Sequence, residues 1–118
     1  MSVARTGLAA GGVLTLAEAH RRLAGVKDVA YVELFRHGTL TLELYAPRGT
    51  DPQQPHTRDE VYVVASGHGE FVVEGRRQAF KTGDCLFVPA KVPHRFEQFS
   101  DDFAVWVMFY GPEGGESP

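Results

Sequence analysis

Two histidines and a glutamate are placed in the chain so that they could bind one metal ion. Side chains two or four positions apart on an extended strand point to the same face. Gln54, His56 and Glu60 therefore share a face if Pro55 only ends the preceding loop. With His94 on a facing strand, two imidazoles and one carboxylate would converge. Such a set suits Fe(II), and also Mn, Zn, Ni or Cu, depending on geometry.

One short helix precedes the part of the chain that carries these residues. Thr15 and Glu18 have the spacing of a capping box, and Gly25 provides a stop signal. The sequence therefore predicts a helix at about 15–25. The Gly- and Ala-rich residues 1–14 before it show no clear period and are predicted to form an arm.

The sequence from residue 30 onward is typical of short strands joined by tight turns. The predicted strands cover 30–36, 39–46, 60–65, 70–74, 78–80, 85–88, 94–99 and 103–110. This number of strands favours an all-β sandwich or closed barrel. We therefore expect a single domain at 15–110, followed by a flexible tail at 111–118 that is rich in Gly, Glu and Pro.

Composition excludes several classes of partner. The net charge of −3 and the pI near 5.9 argue against a surface that binds nucleic acid. No apolar run is long enough to span a membrane. Cys85 is the single cysteine, which excludes an internal disulfide and favours a reducing, cytoplasmic location.

The last predicted strand is apolar on both faces. Phe103, Val105, Val107 and Phe109 alternate with Ala104, Trp106, Met108 and Tyr110. Because monomers seldom expose large apolar patches, something must cover the outer face. The arm and helix can cover part of it, and a second copy of the chain is predicted to cover the rest. We therefore expect a homodimer.

Two groups of residues resemble the two motifs of the cupin superfamily. The residues that resemble the first motif are Gly49, His56, Glu60 and Gly67, and those that resemble the second are Gly83, Pro89, Pro93 and His94. The resemblance extends over about 39–110. It implies a jelly-roll (cupin) β-barrel of the small single-domain type, with a metal held at its centre.

The resemblance also implies a ligand set, with one departure. The family has a histidine at the position of Gln54, so its ligands correspond to Gln54, His56, Glu60 and His94. A glutamine can bind a metal through its amide oxygen, which is a weaker donor than imidazole. We therefore expect this site to bind its metal less tightly than a site with three histidines.

Several other side chains are candidates for a substrate pocket around the metal. Tyr45, Tyr62, Phe96 and Trp106 could line it with apolar walls and hydroxyl groups. Arg58 is either an anchor for an anionic substrate or a charge at the rim. Glu43 could be a buried base, but its face is left open by the pattern, and Asp59 is predicted to face solvent.

Two classes of function follow from a metal site with open positions. The first is a metal-dependent enzyme that acts on a small polar molecule as an oxygenase, decarboxylase or isomerase. The second is a non-catalytic module that binds a metal or a small ligand for sensing or storage. No signalling element is attached to the predicted barrel, which favours the enzyme.

Overall fold

Helix α1 forms where the capping box predicts it. The computed structural model describes residues 7–118 and places α1 at Leu16–Ala24, after a 3-10 helix at Gly7–Ala10. The Thr15 hydroxyl accepts a hydrogen bond from the Glu18 amide at 3.1 Å. The predicted arm falls partly outside the description, since residues 1–6 are not included. Within 7–118, no helix combines the length and the apolarity that crossing a membrane requires.

Eight strands occupy most of the remaining described chain. They are β1 Tyr31–His37, β2 Leu40–Tyr45, β3 Asp59–Ser66, β4 His68–Val73, β5 Arg76–Lys81, β6 Cys85–Val88, β7 His94–Glu97 and β8 Ala104–Tyr110. Every predicted strand is present, with ends that differ from the prediction by a few residues at most.

The strands pair into two antiparallel sheets that pack face to face. The larger sheet has the order β1-β2-β8-β3-β6, and the smaller one has the order β5-β4-β7. Strands that neighbour each other in space are often distant in sequence, which is typical of a jelly roll. The predicted fold class, an all-β jelly-roll barrel with one short N-terminal helix, is confirmed.

The core between the sheets is rich in aromatic rings, and it includes a residue predicted to line the pocket. Phe96, on β7, is 1% exposed. Its ring centre lies 4.9 Å from that of Tyr62 and 4.8 Å from that of Phe103. The placement of Phe96 in the pocket wall is therefore corrected: its ring fills the interior that a small barrel must fill with side chains.

A second apolar cluster lies on the outer face of the larger sheet, beneath α1. Ala19 of the helix and Leu44 of β2 are fully buried there, and Trp106 packs against them. Alternation along β8 directs Val105 and Val107 inward, so Trp106 must point outward. The prediction that Trp106 lines the substrate pocket is therefore also corrected.

The C-terminal segment, which the sequence predicts to be flexible, packs against the barrel. The Gly111 amide donates to the Thr39 hydroxyl at 3.1 Å, and the Gly114 amide donates to the Thr57 carbonyl at 2.6 Å. The Glu116 amide donates to the Asp59 carboxylate at 2.8 Å. The segment therefore lies beside the loop that leads into β3.

Candidate metal centre

Three side chains, one from a loop and one from each sheet, meet at one place in the barrel. His56 lies in the loop before β3, Glu60 is the second residue of β3, and His94 is the first residue of β7. One nitrogen or oxygen atom from each lies within 4.8 Å of the others. The three residues that the sequence analysis singles out therefore lie together between the sheets.

Backbone carbonyls fix how the two imidazoles present their nitrogens. His56 Nδ1 lies 2.8 Å from the Arg58 carbonyl, and His94 Nδ1 lies 2.8 Å from the Val92 carbonyl. Because a carbonyl oxygen can only accept, each Nδ1 must carry a proton. In a neutral imidazole, Nε2 then presents a lone pair. The two Nε2 atoms face each other at 3.3 Å, so the site receives two lone pairs.

The cluster has more hydrogen-bond acceptors than donors. Glu60 Oε1 contacts His56 Nε2 and lies 3.3 Å from His94 Nε2, and Gln53 Oε1 lies 3.1 Å from the same His94 nitrogen. The Tyr62 hydroxyl, 3.1 Å from both His94 Nε2 and Gln53 Oε1, offers one proton. Within the described chain, the buried Glu60 Oε1 has no hydrogen-bond partner.

A cation would satisfy all of these acceptors at once. Leaving a buried carboxylate oxygen without a partner is costly, and the cost is larger for a charged group than for a neutral one. Two imidazole lone pairs, one carboxylate and one amide oxygen are ligands that divalent transition metals accept. The residues present therefore fit a metal of this class.

In the metal-free protein a proton can take the place of the cation. Burial lowers the pKa of His56, but the hydrogen bond and charge of Glu60 outweigh burial, and the net shift is upward. Burial raises the pKa of Glu60, but its close contacts with His56, His94 and Tyr62 outweigh burial and hold the pKa below its ordinary value. A metal would therefore compete with a proton for His56.

The amide nearest the cluster belongs to Gln53 rather than to Gln54. The parity argument for Gln54 assumed an extended strand, but β3 begins only at Asp59, and a loop precedes it. Gln54 is exposed at the rim of the cavity. Gln53 donates through Nε2 to Asp51 at 2.5 Å, which leaves its Oε1 facing His94. Pro52 and Pro55, which flank the two glutamines in the sequence, indicate a loop rather than a strand here.

A cavity of about 280 Å³ opens beside the cluster. Tyr45 and Tyr62, two of the predicted pocket residues, line it together with His56 and Glu60. Burial and the neighbouring Asp51 carboxylate, which accepts the hydrogen bond of the Tyr45 hydroxyl, raise the pKa of Tyr45. Burial raises the pKa of Tyr62 as well, so both tyrosines present neutral hydroxyl groups near the cavity.

Arg58 lies outside this cavity. Its guanidinium donates to the Thr39 carbonyl and, at 3.0 Å, to the Thr41 hydroxyl. The same group lies 5.9 Å from the centre of the Phe109 ring. Of the two interpretations that the sequence left open, this position favours the rim charge over the substrate anchor.

Glu43 is a second carboxyl group in the cavity wall, and the structure settles its face. It lies on β2, between Val107 of β8 and Glu33 of β1, and lines the cavity with Glu60. Burial, followed by the charges of Glu60 and Glu33, raises its pKa to about 7. Glu43 can therefore exchange a proton near neutral pH.

A larger groove of about 1050 Å³ adjoins this cavity. Tyr31, Tyr45 and Gln53 border both spaces. Its other walls come from α1, from the loop after it and from the starts and ends of several strands. Val29, which is 45% exposed, lies in the groove.

Comparison with known proteins decides the family. The family model described as the cupin domain matches residues 41–110, which is more than half of the chain. The chain belongs to the cupin family. The cupin motifs in the sequence and the jelly-roll topology agree with this assignment.

Two relatives show how far this cupin resembles curated proteins. An uncharacterized protein of Streptomyces coelicolor is 39% identical over 88 residues, which cover 73% of this chain and 84% of the relative. The acireductone dioxygenase of Geobacillus kaustophilus is 30% identical over 120 residues, covering 86% of this chain and 67% of that enzyme.

Solved structures support the fold alone. A Neisseria meningitidis protein has a TM-score of 0.62 at 20% identity and covers 79% of this cupin and 96% of its own chain. A cupin 2 conserved barrel domain protein of Salinispora arenicola has a TM-score of 0.59 at 19% identity, with coverages of 69% and 74%.

The two glutamines of this cupin provide a matched test of the amide position. We expect Gln53→Ala to weaken the binding of Ni(II) or Mn(II) roughly tenfold, as the loss of a supporting group does in other metal sites. Gln54→Ala should leave the affinity unchanged, because its side chain is exposed. Isothermal titration of both variants, with circular dichroism as the fold control, measures this. Equal effects would contradict the assignment of the inner position to Gln53.

The raised pKa of Glu43 predicts how the stability of the metal-free protein depends on pH. The ordinary glutamate pKa of 4.5 applies to the unfolded chain, against about 7 in the folded protein. Protonated Glu43 therefore stabilises the folded protein fully below pH 4.5, and this stabilisation is lost as the pH rises through about 7. After discounting for partial exposure, we expect Glu43→Gln to be more stable than wild type at high pH by roughly 1–2 kcal/mol.

Urea unfolding in a chelator at pH 5 and pH 8.5 measures this difference. Glu74→Gln is the control, because Glu74 is exposed. Glu43→Gln should be more stable than wild type only at pH 8.5. A constant gain at both pH values, or the same gain in the control, would contradict the assignment of the titration to Glu43.

Proposed function

We propose that this cupin is a metal-dependent enzyme that acts on a small organic molecule, with dioxygenation as the first reaction to test. The observation that carries the proposal is the cluster of four acceptor atoms with one donor, contributed by Gln53, His56, Glu60, His94 and Tyr62. The metal is a divalent transition ion, with Fe, Mn, Ni, Zn and Cu as the candidates. The relatives named acireductone dioxygenase support an oxygenase above a decarboxylase or isomerase.

A bound metal would act as a Lewis acid and orient a substrate or dioxygen next to it. His56, Glu60 and His94 would hold it, and the Gln53 amide oxygen would add a fourth, weaker ligand. Tyr62 can donate one hydrogen bond to a substrate oxygen. Because the cavity opens beside the cluster, a small molecule can reach the metal from the side of Tyr45 and Glu43.

Glu43 has the properties of the group that moves a proton in such a reaction. Its carboxyl group lines the cavity, and burial, the largest cause of its raised pKa, brings proton exchange by this group closer to neutral pH. It belongs to β2, which carries none of the proposed ligands. A substitution at Glu43 therefore separates proton transfer from metal binding.

The test is turnover by protein loaded separately with each candidate metal. Dioxygen uptake is measured with acireductone as the first substrate, because that is the substrate class of the named relatives. His94→Ala should lower the rate by about a hundredfold or more, since the metal supplies several kcal/mol of barrier lowering. His68→Ala, which changes an exposed histidine, is the control and should retain the wild-type rate.

The same experiment judges the alternative function. Glu43→Gln should lower kcat while its metal content, measured by elemental analysis, equals that of wild type. Metal binding without turnover of acireductone, and without dioxygen uptake on related small molecules, would contradict the enzyme. It would favour the non-catalytic binding module for sensing or storage.

We further propose that the protein is a homodimer and, from its single cysteine, that it is cytoplasmic. Helix α1 covers only part of the outer face of the larger sheet, and Phe87 of β6 remains 52% exposed on that face. Light scattering at micromolar concentration should give twice the 13.0 kDa mass of the chain. Phe87→Glu should shift the mass toward the monomer. A monomeric wild type would contradict the dimer.

A further inference from the structure

Asp59 is a buried carboxylate that bonds to two other segments of the chain. It is 5% exposed and lies between His56 and Glu60 in sequence, although the sequence predicts that it faces solvent. Its Oδ1 accepts from the Ala90 amide at 2.9 Å, and its Oδ2 accepts from the Glu116 amide at 2.8 Å. The first bond reaches the loop before His94, and the second reaches the C-terminal segment.

Two backbone hydrogen bonds join the same three segments. The Lys91 amide donates to the His56 carbonyl at 2.6 Å, which connects the loops of the two histidines directly. The Gly114 amide donates to the Thr57 carbonyl at 2.6 Å. The loop carrying His56 is therefore held on one side by the loop that leads to His94 and on the other side by the C-terminal segment.

The C-terminal segment fits closely at Gly115. A Cβ atom added there would lie 3.0 Å from Asp59 Oδ1 and 3.1 Å from Ala90 Cβ, which is tighter than ordinary packing. A Cβ atom added at Gly114 would meet nothing within 4 Å. The two glycines have nearly the same φ, +92° and +90°, so alanine would strain the backbone equally at both.

We propose that Asp59 and residues 111–116 form a strap that positions the His56 loop against the His94 loop, so that the imidazoles face each other before a metal binds. The inference rests on the proposed metal site and assigns it a supporting structure. Asp59 is a positioning residue, because it directs its carboxylate to backbone amides rather than to the ligand cluster. Groups that orient metal ligands commonly affect affinity although they do not touch the metal.

The glycine pair gives the sharpest test. The affinities of Gly115→Ala and Gly114→Ala for Ni(II) and Mn(II) are measured by isothermal titration, together with their thermal unfolding. Gly115→Ala should bind metal roughly tenfold more weakly than Gly114→Ala, in the range found for supporting groups. Equal affinities in the two variants would overturn the strap, because their backbone strain is matched.

Substitutions at Asp59 provide a second measurement that does not depend on the glycines. Asp59→Ala removes both acceptors and should lower affinity by about 10–100-fold. Asp59→Asn keeps one acceptor oxygen, so its affinity should lie between those of Asp59→Ala and wild type. An asparagine variant no better than alanine would contradict a role through these hydrogen bonds.

Hydrogen exchange in the metal-free protein separates failure of the strap from failure of the metal site. The amides of Ala90 and Lys91 should exchange faster in Gly115→Ala than in Gly114→Ala. If wild type binds no metal, the proposed function fails, and this exchange difference alone decides whether the strap exists. Unchanged exchange of both amides would overturn the inference.

Discussion

The site depends on one buried carboxylate, that of Glu60, which has too few hydrogen-bond donors around it. Glu60 Oε1 faces the Nε2 atoms of two imidazoles whose protons lie on Nδ1 and bond to backbone carbonyls. The Tyr62 hydroxyl is the one donor among the remaining acceptors. A buried anion without donors is unfavourable, so either a proton or a cation must join the cluster. The rest of the barrel determines which of these can bind there, and how tightly.

The backbone of the barrel orients the two imidazoles so that neither donates a hydrogen bond to Glu60. The carbonyl groups of Arg58 and Val92 each bond to the Nδ1 of the histidine two positions away, which turns both Nε2 atoms toward Glu60. These carbonyls belong to loops that lead into strands of different sheets. Orientation of the imidazoles therefore follows from the path of the chain.

The sequence predicts the architecture and the convergence of His56, Glu60 and His94, but it does not predict all of the residues around them. Alternation and turn residues identify the strands, because both reflect local physics. The inner glutamine was missed because strand parity does not apply to Gln53 and Gln54, which lie in a loop. Trp106 was assigned to the pocket although alternation places it on the outer face. The contacts of Asp59 with Glu116 join distant parts of the chain, and no local pattern predicts them.

The most direct test of the central claim is the metal content of protein purified without chelators. Elemental analysis compares wild type with a His56→Ala/His94→Ala variant whose fold is verified by circular dichroism. We expect close to one transition-metal ion per wild-type chain and almost none in the variant, since both imidazole lone pairs are removed. Equal metal content in the two proteins, or none in either after incubation with Fe, Mn, Ni, Zn and Cu, would contradict it.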